Sequence, residues 1–286
     1  MQKLRLGMVG GGMGAFIGAV HRIAARIDDQ YELVCGVFSS SAENSRASGL
    51  MLGLSPDRVY SSYQELFEKE SQLPEDQRAQ VISIVTPNHL HYEPARQALE
   101  SGFHVILDKP MTFSLQEAKD LANAASASGR LFCLTHTYTG YPMVKEARQI
   151  VQEGRLGRIR KIYVEYPQGW LSGFEEGSGN KQASWRTNPD QSGAAGAMGD
   201  IGTHAFNLAE YVSGLEVTKL CADINIVVEG RKLDDDGAVL LKFANGASGV
   251  LMASQVAAGE ENNIKIRVYG EKGGLNGSKV MQTASC

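Results

Sequence analysis

The stretch Leu4-Arg5-Leu6-Gly7-Met8-Val9-Gly10-Gly11-Gly12-Met13-Gly14-Ala15 decides the fold. An aliphatic run of strand character enters a glycine cluster, and a helical pattern follows over about residues 14–28. Gly10, Gly12 and Ala15 hold the three positions of a GxGxxA fingerprint, with Met13 inside the turn. The first glycine permits the tight turn, the second lets backbone approach a pyrophosphate, and the small third residue lets the helix pack on the strand. Helix N–H groups then face the phosphates. An ordinary glycine-rich turn has the same composition, but its place between a first strand and a first helix favours the nucleotide.

Outward from this turn, strands are expected at 4–9, 32–38, 80–85, 103–107 and 131–136. Helices are expected near 14–28, 42–52, 61–70, 91–101 and 114–128, the last opening with Ser114 and Glu117 at capping-box spacing. Such alternation builds a parallel, doubly wound sheet. The polar segment from Glu70 to Gln80, which contains Pro74, reads as an exposed loop. From Pro142 the pattern changes to a helix over 142–153, a strand over 160–166, and a long Gly, Ser and Asn-rich loop through Pro189. A helix at about 200–213 precedes alternating segments 217–228, 237–244, 247–256 and 263–269, with Asn245-Gly246 as a hairpin signal. The fold class is therefore α/β plus α+β. An N-terminal Rossmann domain with a doubly wound parallel sheet spans 1–136, and a C-terminal α/β domain on an open, mainly antiparallel sheet spans 137–286.

A chain of 286 residues exceeds what one core usually organises, which agrees with two domains. Hydrophobic residues at 43% and charged residues at 21% are the balance of a folded globular protein. A formal net charge of −4 provides no basic stripe for nucleic acid and no cationic face for a membrane surface, so neither is an expected partner. Cys35, Cys133, Cys221 and Cys286 lack CxxC spacing and read as reduced thiols. With no leader-like start and no apolar run long enough to span a bilayer, a cytoplasmic protein is expected. No HxxxH or HExxH grouping points to a metal.

After the second strand the chain reads Val37-Phe38-Ser39-Ser40-Ser41, without the acidic residue that would accept from a ribose 2′-hydroxyl and repel a 2′-phosphate. Ser39 and Ser40, with Arg46 about a helical turn onward, favour NADP over NAD. The same serines also suit the cap of a helix beginning at Ala42.

Three further motifs follow in order: Val85-Thr86-Pro87-Asn88-His89-Leu90-His91, Asp108-Lys109-Pro110, and Gly199-Asp200-Ile201-Gly202-Thr203-His204. With the glycine turn, they make the chain resemble the Gfo/Idh/MocA family, the glucose-fructose oxidoreductase and inositol dehydrogenase group, from residue 4 to about 274. The family usually reads Glu-Lys-Pro where this chain has Asp108-Lys109-Pro110. The resemblance implies NAD(P)-dependent hydride transfer to or from a sugar, sugar derivative or cyclitol hydroxyl, with Lys109, Asp200 and His204 as catalytic residues. Physically, an ammonium at the C-terminal edge of a parallel sheet can stabilise a developing alkoxide. A histidine has the proton affinity for a base working in both directions.

On a helix, Asp200 and His204 are four residues apart and share a face. Each candidate also has a plain structural reading: Lys109 as a solvated lysine, His204 as a satisfied core histidine, Asp200 as an N-cap. The resemblance places Thr86, Pro87, Asn88 and His91 beside the nicotinamide and its ribose, and Asp108 and Lys109 at the cofactor. It also brings Trp185 and Arg186 to the dinucleotide and substrate, although either could simply hold the long loop down. Thr139 stands where members carry arginine, which leaves sugar specificity open.

A homodimer or homotetramer through the open sheet also follows from the resemblance alone. So does a C-terminally truncated second domain, since relatives continue past Tyr269–Gly274 with more strand and helix, while this chain has after Gly274 only a short, weakly patterned tail ending Gln282-Thr283-Ala284-Ser285-Cys286. A non-catalytic NAD(P) sensor of the same fold, or an inactive truncated member, is the alternative. Retention of both Lys109 and His204 argues for the enzyme.

Overall fold

Leu4–Gly10 (β1) leads through the glycine turn into Phe16–Ile27 (α1), followed by Tyr31–Val37 (β2) and Ala42–Met51 (α2). Tyr63–Gln72 (α3), Val81–Val85 (β3), Tyr92–Glu100 (α4), His104–Leu107 (β4), Leu115–Ser128 (α5) and Phe132–Leu134 (β5) continue the alternation. The computed structural model from which these elements are taken describes residues 3–279. Contacts divide the chain into two units, Met1–Thr135 and His136–Cys286.

In the first unit the strands pair in parallel in the order β2-β1-β3-β4-β5. On the free edge of β2, a parallel bridge joins Gly36 to Val59. All five residues of β3 are buried, as expected of a strand covered on both faces. On one face Met8, Phe38 and Val85 pack with Ile17 of α1. On the other, Val9, Ile82 and Ile84 meet Leu66, Phe67, Ala98, Leu99 and Leu121 from α3, α4 and α5. The capping box of α5 forms as read, with Ser114 accepting from the Glu117 N–H and Glu117 accepting from Ser114.

Glu70 is not part of an exposed loop. It lies on α3, fully buried, where Arg58 donates to both carboxylate oxygens at 2.8 Å and Tyr60 and the Ala79 N–H complete the set. Polarity in the sequence misread this residue, because a buried carboxylate with four donors tolerates a core position that a lone one would not. Arg58→Met leaves that charge uncompensated and is expected to lower stability by about 3–5 kcal/mol. Adding Glu70→Leu recovers most of the loss, and urea unfolding of the two variants measures both.

In the second unit, Pro142–Gln152 (α6) and Ile159–Pro167 (β6) precede a segment expected to be loop. The structure instead builds Lys181–Arg186 (α7), capped by the Asn180 side chain, and Pro189–Ser192 (α8) within it. These elements are too short to show a helical period, which hid them. Thr203–Ser213 (α9) is followed by Val217–Asn225 (β7), Asp236–Phe243 (β8), Ser248–Ser254 (β9), Lys265–Gly270 (β10) and Gly274–Ser278 (β11).

The sheet order is β11-β10-β6-β9-β8-β7, antiparallel except for β6 with β9. Strand β11 falls in the tail read as weakly patterned, since Gly274-Leu275-Asn276-Gly277-Ser278 has no alternation to betray it. Gln282–Cys286 lies outside the described residues. On one face the sheet packs Val164, Tyr166, Leu241 and Val268 against Ile201, Ala205, Leu208 and Val212. Its other face carries Leu240, which is 62% exposed, with the exposed Cys221 paired opposite it. Among the described residues no helix is long and apolar enough to cross a membrane.

Candidate active site

In a parallel sheet of this kind ligands bind outside the carboxyl ends of the strands. The first unit gathers its candidate residues at that edge: Gly10, Gly12, Met13 and Ala15 after β1, Ser39, Ser40 and Arg46 after β2, Thr86, Pro87, Asn88 and His91 after β3, and Asp108 and Lys109 after β4. Gly12 donates to the Phe38 carbonyl at 3.1 Å, and the Met13 N–H to the buried Ser48 hydroxyl at 3.0 Å, so the turn is fixed on β2 and α2. A Cβ on Gly12 would stand 2.6 Å from the Phe38 oxygen, so only glycine fits there. Ala15 does not provide the close packing expected of it. It is the exposed N-cap of α1, and the close approach belongs to Gly18, where a Cβ would sit 2.3 Å from Gly11 Cα. The spacing of the fingerprint is stretched by three residues, and the sequence reading stopped short of it.

Helix α1 starts with no side-chain cap and no acidic residue in its first turn, which leaves its N–H groups and dipole for an anion. Ser41 caps α2 by accepting from the Asn44 N–H, and the Ser39 hydroxyl accepts from the Ser41 N–H at 3.2 Å. Ser40 and Arg46 are exposed.

Beyond β3, the Thr86 hydroxyl donates to the Leu90 carbonyl at 2.8 Å and shapes the turn that holds Pro87 and Asn88. His91 does not line a cofactor surface: it is 1% exposed, with Nδ1 2.7 Å from the Pro110 carbonyl oxygen and Nε2 2.8 Å from that of Thr86. After β4, the Asp108 carboxylate accepts from Thr135 at 2.9 Å and faces His21 Nε2 at 3.8 Å. Burial raises the Asp108 carboxyl, but His21, Thr135 and the Lys109 charge outweigh it and hold it below the usual carboxylate range. The next residue, Lys109, is half-buried.

The second unit builds a separate cluster around His204, which is 7% exposed. The Tyr138 ring stands edge-on to its imidazole at 4.9 Å, His136 at 5.6 Å, and Tyr166 lies tilted at 6.2 Å. The Tyr138 and Tyr166 hydroxyls hydrogen-bond each other, and Tyr166 donates to Asn262 Oδ1. Gln168 donates to the same oxygen at 2.8 Å and accepts from Trp170 Nε1 at 3.0 Å. Burial, reinforced by Tyr138 and by the Asp200 charge, pushes the Tyr166 phenol far up, so it stays a neutral donor.

Asp200 and His204 do not share a regular α-helix. Asp200 lies in a π-helical turn, Met198–Gly202, and α9 starts at Thr203. The Asp234 carboxylate fixes the turn by accepting from the Gly196 and Met198 N–H groups at 2.6 and 2.7 Å. Asp200 Oδ2 accepts from Gln255 Nε2 at 2.9 Å and faces Arg186 Nε at 3.4 Å. Arg186 also stacks on the Trp185 ring at 4.2 Å, so this pair is tied into the Asp200 network. The residues that carry the buried network through strand ends, Arg231, Glu176 and Asp235, were not legible in sequence: Arg231 donates to both acids and to the Leu171 and Gly173 carbonyls, pinning the loop after β6.

Comparison with known proteins accords with this geometry. Residues 4–136 match the oxidoreductase family with an NAD-binding Rossmann fold, and residues 144–276 the GFO/IDH/MocA C-terminal domain. An oxidoreductase from Sinorhizobium meliloti is 49% identical, with a TM-score of 0.87 over 98% of this chain and 73% of that one. The chain belongs to the Gfo/Idh/MocA family of oxidoreductases. An inositol dehydrogenase homologue from Azotobacter vinelandii, solved with NAD+, is 36% identical with a TM-score of 0.90, covering 96% of this chain and 70% of that one. Levoglucosan dehydrogenase of Pseudarthrobacter phenanthrenivorans is 27% identical over 303 residues, 96% of this chain and 73% of the relative.

For a Gfo/Idh/MocA oxidoreductase the first unit is thus an NAD-binding Rossmann fold, and the residues present fit the group. Gly12 and Gly18 leave the room that a Cβ would fill, and α1 presents an uncapped N-terminus. Sequence reasoning missed His21, Ser48, Tyr166, Gln168, Gln255 and Asn262. None falls in a spaced motif; each is brought into place by strand pairing or helix packing.

Proposed function

We propose that the chain interconverts a secondary hydroxyl and a carbonyl on a sugar, sugar derivative or cyclitol, with cofactor held by the first unit and substrate by the second. The observation that carries this reading is the placement of Lys109 at the same carboxyl edge of the sheet as the glycine turn and the Thr86–Asn88 turn. Bound there, a nicotinamide supplies the hydride acceptor or donor.

Lys109 donates a hydrogen bond to the reacting oxygen and stabilises charge as it develops. His204 takes the hydroxyl proton in oxidation and returns it in reduction. Asp200, held by Gln255 and Arg186, sets a fixed negative charge beside the reacting polar groups. The Tyr138, Tyr166, Asn262 and Gln168 network supplies the directed donors and acceptors that a polyol requires, and similarity to an inositol dehydrogenase homologue and to levoglucosan dehydrogenase supports that class. The open face that carries Leu240 supports a homodimer or homotetramer.

The cofactor is proposed to be NAD or NADP with NADP slightly favoured, because no acidic residue follows β2 and Arg46 is exposed one turn into α2. Fluorescence titration with NADPH and NADH, then nicotinamide absorbance with a panel of cyclitols and sugars, tests the reading. Turnover of at least one panel member is expected; tight cofactor binding without turnover in either direction favours a sensor instead. Ser39→Asp is expected to weaken NADPH binding by about tenfold or more, relative to NADH, through repulsion of the 2′-phosphate.

A further inference from the structure

Outside the residues assigned to chemistry, one buried polar group joins two parts of the proposed site. His91 opens α4, is 1% exposed, and spans two carbonyl oxygens that lie nineteen and five residues away in sequence. One belongs to Thr86, at the head of the turn carrying Pro87 and Asn88. The other belongs to Pro110, whose nitrogen is bonded to the carbonyl of Lys109. Both partners are acceptors, so the protonated ring makes two hydrogen bonds and the neutral ring one. Burial drives the ring toward neutrality, while the two carbonyls and the Asp108 carboxylate favour the cation and His89 opposes it. A solvated histidine would gain nothing from such a pair of contacts. A buried one is held by them, and holds both segments in return.

We propose that His91 is a positioning residue that locks the Lys109 segment to the Thr86–Asn88 turn, so that the ammonium and the cofactor-facing turn keep one fixed spacing. The Pro110 link governs the placement of Lys109 and therefore turnover. The Thr86 link governs the turn and therefore cofactor affinity. A misplacement of about 1 Å at a reacting group costs up to about 10²-fold in rate, which is the size of effect such a brace can control. This inference rests on the reading of Lys109 as a group that contacts substrate.

The two links can be cut separately, because an Asn amide nitrogen overlays the δ nitrogen of histidine and a Gln amide nitrogen the ε nitrogen. In the full chain, NADH and NADPH Kd, kcat on the best substrate of the cyclitol and sugar panel, Tm, and amide hydrogen exchange of segments 86–91 and 108–112 are measured for His91→Asn, His91→Gln and His91→Phe. His91→Gln keeps the Thr86 link: cofactor Kd within about threefold of the parent and kcat lower by about 10- to 100-fold, with faster exchange confined to 108–112. His91→Asn shows the converse, with kcat largely retained, cofactor Kd raised and faster exchange at 86–91. His91→Phe loses both. Identical losses in all three variants that merely track Tm, or a His91→Phe protein with parental kcat and Kd, overturn the proposal. Hydrogen exchange needs no turnover, so the brace is tested even if Lys109→Met retains parental activity and the reading of Lys109 itself fails.

Discussion

Lys109→Met is expected to leave cofactor Kd within a few-fold of the parent and to reduce kcat by about 10²–10³-fold. That loss is the cost of removing one preorganised donor to a developing oxyanion. The chain fixes the lysine in place from both sides: Asp108 before it is bound by Thr135 and faces His21, and Pro110 after it is held by His91. The Thr135 and His91 hydrogen bonds do not pass through the ammonium and survive the substitution, which takes from Asp108 only one of the charges that hold its carboxyl low. Single-turnover kinetics with the best panel substrate separate chemistry from binding. A variant that loses affinity and keeps its chemical rate would assign Lys109 to cofactor binding alone.

His204→Ala should lower kcat by about 10²–10⁴-fold, the range of general acid–base catalysis, with little change in cofactor binding. His204 is enclosed by Tyr138, His136 and Tyr166, so truncation opens a ring-sized space lined by aromatic edges. Added imidazole is expected to restore part of the lost rate. Rescue by imidazole, with none by similarly sized aromatic molecules lacking a basic nitrogen, distinguishes proton transfer from packing. His204→Ala at parental kcat would remove the histidine from the mechanism.

The legible part of the molecule was the part written in short-range pattern. Strands β1 to β4 and helices α1 to α5 carry their periods, and α2, α3 and α5 their N-caps, in consecutive residues, and the fingerprint at Gly10–Ala15 announces itself by spacing. Lys109 and His204 stand out in the sequence as candidates because they sit within short motifs. What sequence could not supply was any group whose meaning depends on a distant partner. Glu70 looked solvated until Arg58, Tyr60 and Ala79 met it in the core. Gly18 carries the helix-to-turn contact assigned to Ala15, because the stretched turn moves the close approach along α1.

Asp200 follows the same rule. Counting residues placed it on an α-helical face with His204, but a π-helical turn fixed by Asp234 intervenes, and its carboxylate meets Gln255, just after β9, and Arg186 of α7. Nothing local distinguishes the two helical geometries in Met198-Gly199-Asp200-Ile201-Gly202. The polar cluster was invisible for a similar reason: Tyr166 and Gln168, at the end of β6, meet Asn262, just ahead of β10, only when those two strands pair.

Co-crystallisation of the full chain with its preferred cofactor and the best panel substrate tests the proposed chemistry most directly. Lys109 Nζ and one His204 ring nitrogen should both lie about 2.6–3.2 Å from the same substrate oxygen, on the carbon that faces the nicotinamide. A bound substrate whose reacting oxygen meets only one of the two, with the other turned to solvent, contradicts it.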